Sequence, residues 1–310
     1  MSTRLFRRDW RTVALLVAAI LVALTFANPK LPLPLRVYRY AFVIDITQSM
    51  NVRDYHIENM PADRLNFVKE SIRQAVHDLP CGSEVGLGLF TTQSVQLLFE
   101  PVEVCEHLPV IDDVLSHVDW RMAWAANSFV AQGVYAAIRD VKNRDPGIRL
   151  AFFTDGQEAP PQTLSPMFTG KPGEVAGLIV GVGGAHPTVV PKYDRENRLV
   201  GYWENTDIAQ MPESSTAYET KEQETAPRPP REGYYLSWLD ENRLRELSAT
   251  TGLRYHRLET PEDLMEALRA AEFAERRTTN TDIRWLLGVA ALLLFASVYL
   301  IDGGKTPKRT

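Results

Sequence analysis

Asp45, Thr47 and Ser49 place a carboxylate and two hydroxyls at alternate positions directly behind the apolar run of residues 41–44, Ala-Phe-Val-Ile. The run reads as a buried strand. Oxygen-bearing side chains at its end must find hydrogen-bond partners or a cation, because unpaired polar groups are costly to bury. A second strand-like run, residues 149–153, also ends in an acid, within Thr154-Asp155-Gly156. Carboxylate and hydroxyl oxygens with room for water suit a hard divalent cation, Mg2+, Ca2+ or Mn2+, whereas zinc would call for His or Cys. The six histidines are scattered without metal-ligand spacing, and no Ser/His/Asp set is visible by motif. With no general base or nucleophile motif beside either acid, the expectation is a binding protein and not an enzyme.

Positioning these residues requires a sheet. Strands are expected at residues 40–45, 84–90, 95–99, 149–153, 177–182 and 253–258, with amphipathic helices opening at Asp63, near His107, after Ser128, and at Asp240 and Thr260. Helices and strands alternating in this way predict an α/β fold with a doubly wound, mostly parallel central sheet, whose ligands bind beyond the carboxyl ends of the strands. Asp45 and Asp155 sit at two such ends and are expected to converge. Residues 188–233, rich in Pro, Glu, Thr and Arg, read as a partly mobile surface insertion. Gly181-Val182-Gly183-Gly184 lacks the third glycine of a dinucleotide-binding loop and is expected to be a strand-end turn. Asp54 reads as a solvated loop acid that could also act on the metal electrostatically.

With these residues in place, Asp45-Ile46-Thr47-Gln48-Ser49 resembles the D-x-S-x-S motif of von Willebrand factor A (VWA) domains, with Thr for the first Ser. The resemblance aligns Ser128, followed by Gly133, with the family's second-loop Thr, and Asp155 with the acid of its T-D-G turn. Asp63-Arg64-Leu65 and Gly181-Val182-Gly183 also look like family landmarks. The likeness covers residues 38–275 and implies a metal-ion-dependent adhesion site. Its metal set is Asp45, Thr47, Ser49, Ser128 and Asp155, with the two acids acting directly or through water, and a partner's Asp or Glu completes the shell. Trp120 and Trp124, close to Ser128 in sequence, read either as a partner-binding rim or as packing beneath the loop.

The ends differ in kind. Arg4, Arg7, Arg8 and Arg11 flank an apolar segment over residues 12–28, expected as a signal anchor or signal peptide. A second apolar segment, residues 285–301, is followed by Lys305, Lys308 and Arg309 and is expected as a transmembrane helix. Residues 29–37 and 276–284 read as linkers. The basic residues outside both segments, 1–11 and 302–310, place both termini in the cytoplasm and the main domain in the periplasm, at a bacterial inner membrane. Cys81 and Cys105 flank the 84–99 hairpin at nearly equal distances from its turn, so a disulfide is expected in that oxidising compartment, two unrelated buried thiols being the alternative. A net charge of -5 leaves no electrostatic footprint for nucleic acid.

Two terminal membrane segments around one such domain are similar to bacterial proteins encoded with calcium-dependent methanol dehydrogenase. That likeness implies a role in maturation or calcium insertion, with methanol dehydrogenase or another maturation factor as partner. A Bat-type VWA protein working with a MoxR-type ATPase in stress tolerance or complex assembly is the competing reading. A metal-dependent hydrolase is the alternative of another class.

Overall fold

Strand β1 (Arg39–Asp45) carries apolar side chains at every position from Tyr40 to Ile44, the pattern of a strand covered on both faces, and each of them is buried. In the computed structural model, which describes residues 2–125, 127–161, 166–209 and 233–300, β1 lies inside a six-stranded sheet. Its other strands are β2 (Glu84–Thr91), β3 (Ser94–Glu103), β4 (Arg149–Thr154), β5 (Gly177–Gly181) and β6 (Arg254–Arg257). The spatial order is β6-β5-β4-β1-β2-β3, with every neighbouring pair parallel except the edge strand β3, which runs antiparallel to β2. This is a doubly wound order, and its switch point falls between β1 and β4.

Helices cover both faces. Over one lie α1 (Arg64–Asp78), α2 (Val104–His117) and α5 (Pro261–Leu268), packed on Phe42, Ile44, Leu87, Phe153 and Val180. Over the other lie α3 (Val130–Arg144) and α4 (Glu241–Thr251), packed on Val43, Phe90, Phe152 and Ile179. Their starts follow from the sequence. Asp63, Asp240 and Thr260 cap α1, α4 and α5 by accepting a backbone N–H three residues on, and Gly252 closes α4 in the left-handed conformation. Gly133 lets α3 close on the sheet, since a Cβ there would stand 2.1 Å from the Phe90 ring.

Cys81 and Cys105 are disulfide-bonded, with their Cα atoms 5.3 Å apart. The pairing is the expected one, although Cys105 lies in the first turn of α2 and not on a continuation of β3. Of the insertion, Pro191–Tyr193 pairs with Leu199–Tyr202, Thr188–Val189 pairs with Leu236–Ser237, and Asn205–Ala209 is helical. Residues 210–232 and the expected tail 302–310 lie outside the described residues.

Of the described residues, those within 36–275 form one compact unit, and those up to 35 together with those from 276 on form another. In the second unit the helices Ser2–Thr25 and Arg284–Leu300 pack along each other. Where linkers are expected, Lys30–Val37 and Glu275–Asp282 instead pair as strands. The expected membrane spans are not shown: among the described residues, no helix is long and apolar enough to cross a membrane. The first helix starts inside the arginine-rich segment and ends before residue 26. The second has 17 residues, about 26 Å of rise against a hydrocarbon core of about 30 Å.

The disulfide closes a loop of 24 residues, so replacing both cysteines by serine is expected to lower unfolding free energy by about 3 kcal/mol through the gain in unfolded-chain entropy. Urea denaturation of the variant, and of the unaltered protein with and without reductant, measures this. Gly133→Ala should cost a further ~1–3 kcal/mol by forcing α3 off Phe90, read in the same experiment.

Candidate metal centre

At the switch point the chain leaves β1 and β4 toward opposite sides, opening a crevice beyond their carboxyl ends. Asp45 ends β1 and is fully buried. Its Oδ1 accepts from the Thr47 backbone N–H at 2.9 Å and the Thr47 hydroxyl at 2.7 Å, and its Oδ2 accepts from the Thr154 hydroxyl at 2.7 Å. The 3-10 turn Gln48–Asn51 brings Ser49 Oγ to 3.4 Å from Thr47 Oγ1. A hydroxyl that donates its proton to a carboxylate keeps its lone pairs for a cation. Adjacent oxygens in a shell with bonds of about 2.1–2.4 Å stand about 3.0–3.4 Å apart, so this pair is spaced to share one ion.

Ser128 arrives from the loop before α3. Its backbone exchanges hydrogen bonds with Ala159, at 2.7 and 2.9 Å, and the next residue, Phe129, donates to the Thr92 carbonyl just past β2. The Ser128 hydroxyl is buried and among the described residues has no hydrogen-bond partner, and the same holds for Thr91 Oγ1, Thr92 Oγ1 and Gln157 Oε1 at this edge. Such a group of orphaned oxygens is unusual inside a protein and marks a place for a polar ligand.

Asp155, just past β4, is also fully buried, but its oxygens are occupied. Oδ1 accepts from the Gln157 N–H at 3.0 Å, and Oδ2 accepts from Arg64 Nη1 at 2.8 Å and Ser237 Oγ at 3.2 Å. Arg64, the first residue of α1, is wholly buried and also binds Asp54 (Nη2 to Oδ2, 2.6 Å) and the Ser49 carbonyl (3.3 Å). Asp54 is therefore no solvated loop acid. It is 8% exposed, pairs with Arg64 and accepts from the Gly184 N–H at 2.7 Å.

Asp54 and Asp155 thus share one guanidinium, and among the described residues the buried Asp45 has no ion-pair partner. Burial, followed by the negative charge of Asp155, holds the Asp45 carboxyl well above the usual carboxylate range, against the hydrogen bonds from Thr47 and Thr154. Behind the edge, Glu158 accepts from the Ala131 N–H at the start of α3, and burial pushes its carboxyl up as well. The donor set fits a hard divalent cation: Thr47, Ser49 and Ser128 offer hydroxyl oxygens, Asp45 supplies the uncompensated charge, and Asp155 acts from behind its hydrogen bonds.

The two tryptophans diverge. Trp120 packs on Tyr193 of the insertion hairpin and donates to Asn197 Oδ1 at 2.9 Å, while Trp124 is 60% exposed. Pro191–Tyr193 also lies beside the Gln48–Asn51 turn, so the insertion borders the site. Sequence reasoning gave no role to Arg64, Thr154 or Ser237. The first two lie in visible motifs, Asp63-Arg64-Leu65 and Thr154-Asp155-Gly156, whereas Ser237 follows the insertion with no local signal.

No protein-family model and no curated protein matches the chain. Among solved structures it is similar to an aerotolerance-related membrane protein from Bacteroides fragilis, at 13% identity over 74% of this chain and 95% of that one, TM-score 0.47. It is similar also to BatB from Bacteroides thetaiotaomicron, at 16% identity over 74% and 94%, TM-score 0.45. A third is the ArnB paralog VWA2 from Sulfolobus acidocaldarius, at 13% identity over 76% and 45%, TM-score 0.36. Likenesses of this degree carry no functional assignment, and the site is read from its own residues.

Because the folded-state pKa of Asp45 is raised, the metal-free fold binds more protons than the unfolded chain between the ordinary and the raised value. The contribution of this group to stability is full below the unfolded pKa and is lost as pH rises through the folded one. A divalent cation takes over from the proton, so the rise in Tm on adding Ca2+ or Mg2+ should be larger at about pH 8 than at about pH 5. Thermal melts against EDTA controls check this, with Asp45→Asn expected to remove the difference.

Proposed function

We propose that residues 36–275 form a VWA-type adhesion module that grips an acidic side chain of another protein through a divalent cation, Mg2+, Ca2+ or Mn2+. The observation that carries this reading is the buried, uncompensated Asp45 carboxylate, hydrogen-bonded to Thr47 at the switch point of a parallel sheet, with the Ser128 hydroxyl, partnerless among the described residues, carried on a loop tied to the same sheet edge. Hydroxyl ligands withdraw little charge from the ion, so it keeps a strong affinity for an outside carboxylate. A metal-dependent hydrolase would need a positioned general base or nucleophile, and the sequence carries no such motif beside Asp45 or Asp155. That favours binding over catalysis.

The setting we propose is the periplasmic side of a bacterial inner membrane. The disulfide supports an oxidising compartment. Exposed Leu16, Ile20, Trp285, Leu292 and Leu293 on the paired terminal helices support attachment to lipid or to membrane-embedded partners. Two assembly roles accommodate the module. One is that of a Bat-type protein working with a MoxR-type ATPase; two structural neighbours are described as aerotolerance-related or as BatB. The other is maturation of calcium-dependent methanol dehydrogenase, as resemblance to MxaL implies. Trp124 would then belong to the contact rim.

Calorimetric titration of Mn2+ into the full-length protein tests the site itself. One equivalent is expected to bind, and Asp45→Asn should weaken it by at least about tenfold, roughly 1.4 kcal/mol. A partner complex that survives EDTA, or an Asp45→Asn variant with undiminished metal affinity, would contradict the reading.

A further inference from the structure

Arg64 is a buried charge at the metal edge that neither the ligand set nor the adhesion reading uses. Its side chain has no solvent exposure, and its guanidinium touches four different stretches of chain: Asp54, the Ser49 carbonyl, Asp155 and Ser237. It is held from above by Gly183, whose backbone is in the left-handed region (φ 113°) and where a Cβ would stand 2.5 Å from Arg64 Nε. A charge so enclosed cannot swing out to water, and so belongs permanently to the electrostatics of the site.

We propose that Arg64 sets the net charge of the metal centre and thereby the balance between its grip on the cation and its affinity for an anionic partner. This rests on the proposed metal-dependent binding. A divalent cation, the Arg64 guanidinium and the carboxylates of Asp45, Asp54 and Asp155 sum to zero charge. At that balance an incoming carboxylate meets the bare attraction of the ion without net repulsion from the cage. Losing the guanidinium leaves the cage one unit more negative, so the ion is held more tightly and an outside carboxylate is repelled. Neutralising Asp54, which touches Arg64 and the Gly184 N–H but is not a proposed ligand, shifts the centre one unit the other way. At an effective dielectric of about 20, one buried unit charge several ångströms away moves the affinity for a single charge by at least about tenfold and that for the doubly charged cation by at least about a hundredfold.

Mn2+ affinity of the full-length protein, read by electron paramagnetic resonance, and affinity in saturating Mn2+ for a short peptide with one central glutamate, read by calorimetry, together test the proposal. The glutamine version of the peptide is the control. Asp54→Asn should weaken Mn2+ binding by at least about a hundredfold and strengthen peptide binding by at least about tenfold, and Arg64→Met should do the reverse. Arg64→Lys, which keeps the charge and loses the fork, should leave both within about threefold. A purely structural role would lower both affinities together in every variant, and that result would overturn the proposal. If Arg64→Met does not fold, the opposed signs in Asp54→Asn still decide, since unchanged or parallel shifts there would sink the charge-setting role alone. Failure of the unaltered protein to bind Mn2+ would remove the underlying site and the inference with it.

Discussion

Burying carboxylates at the end of a parallel sheet without enough cations to balance them is the constraint on which this structure turns. Asp45 and Asp155 are withdrawn from water and the Asp54 side chain nearly so, and among the described residues one guanidinium pairs with Asp54 and Asp155 and none with Asp45. Buried charge of this kind is destabilising unless paired and hydrogen-bonded, and removing one partner of a buried pair typically costs about 3–5 kcal/mol. The surrounding chain reflects that pressure. Thr47, Thr154, Gln157 and Ser237 all turn donors toward Asp45 or Asp155. What the hydrogen bonds do not supply is a counter-charge for Asp45, and a divalent cation would supply it.

The fold makes such a concentration of acid feasible. β1 and β4 lie side by side at the switch point, so their ends face a crevice uncovered by the crossover connections. The strands beneath are rigid, buried on both faces and fixed in register, and α3 is drawn in close by Gly133. Ser128 is carried on the loop that leads into that helix, which ties its position to the packing of α3 on Phe90. Site and core are therefore not separable: a change in how α3 seats on the sheet moves a proposed metal ligand.

Much of this was legible from residue pattern. Strong local signals, such as the apolar runs ending in Asp45 and Asp155 and the capping residues Asp63, Asp240 and Thr260, located the strands and helix starts within a residue or two. The disulfide followed from symmetry about a hairpin, although Cys105 proved to be helical. Long-range pairing was not legible. Asp54 looked like a loop acid because its partner, Arg64, meets it only once α1 is docked, and Ser237 reaches Asp155 across 82 positions of sequence. The terminal segments were read as spans from hydropathy, but helix boundaries depend on where the charged flank joins the helix and on strand pairing between Lys30–Val37 and Glu275–Asp282, neither of which hydropathy encodes.

Crystals of the protein grown or soaked with Mn2+ provide the most direct measurement, because anomalous scattering locates the ion without assumption about its ligands. The account predicts one strong peak among the oxygens of Thr47, Ser49 and Ser128 beside Asp45, with a coordination position left to solvent or to a carboxylate from a neighbouring molecule. Absence of a peak there at saturating Mn2+, with Ser128 Oγ satisfied instead by a protein group, would contradict it.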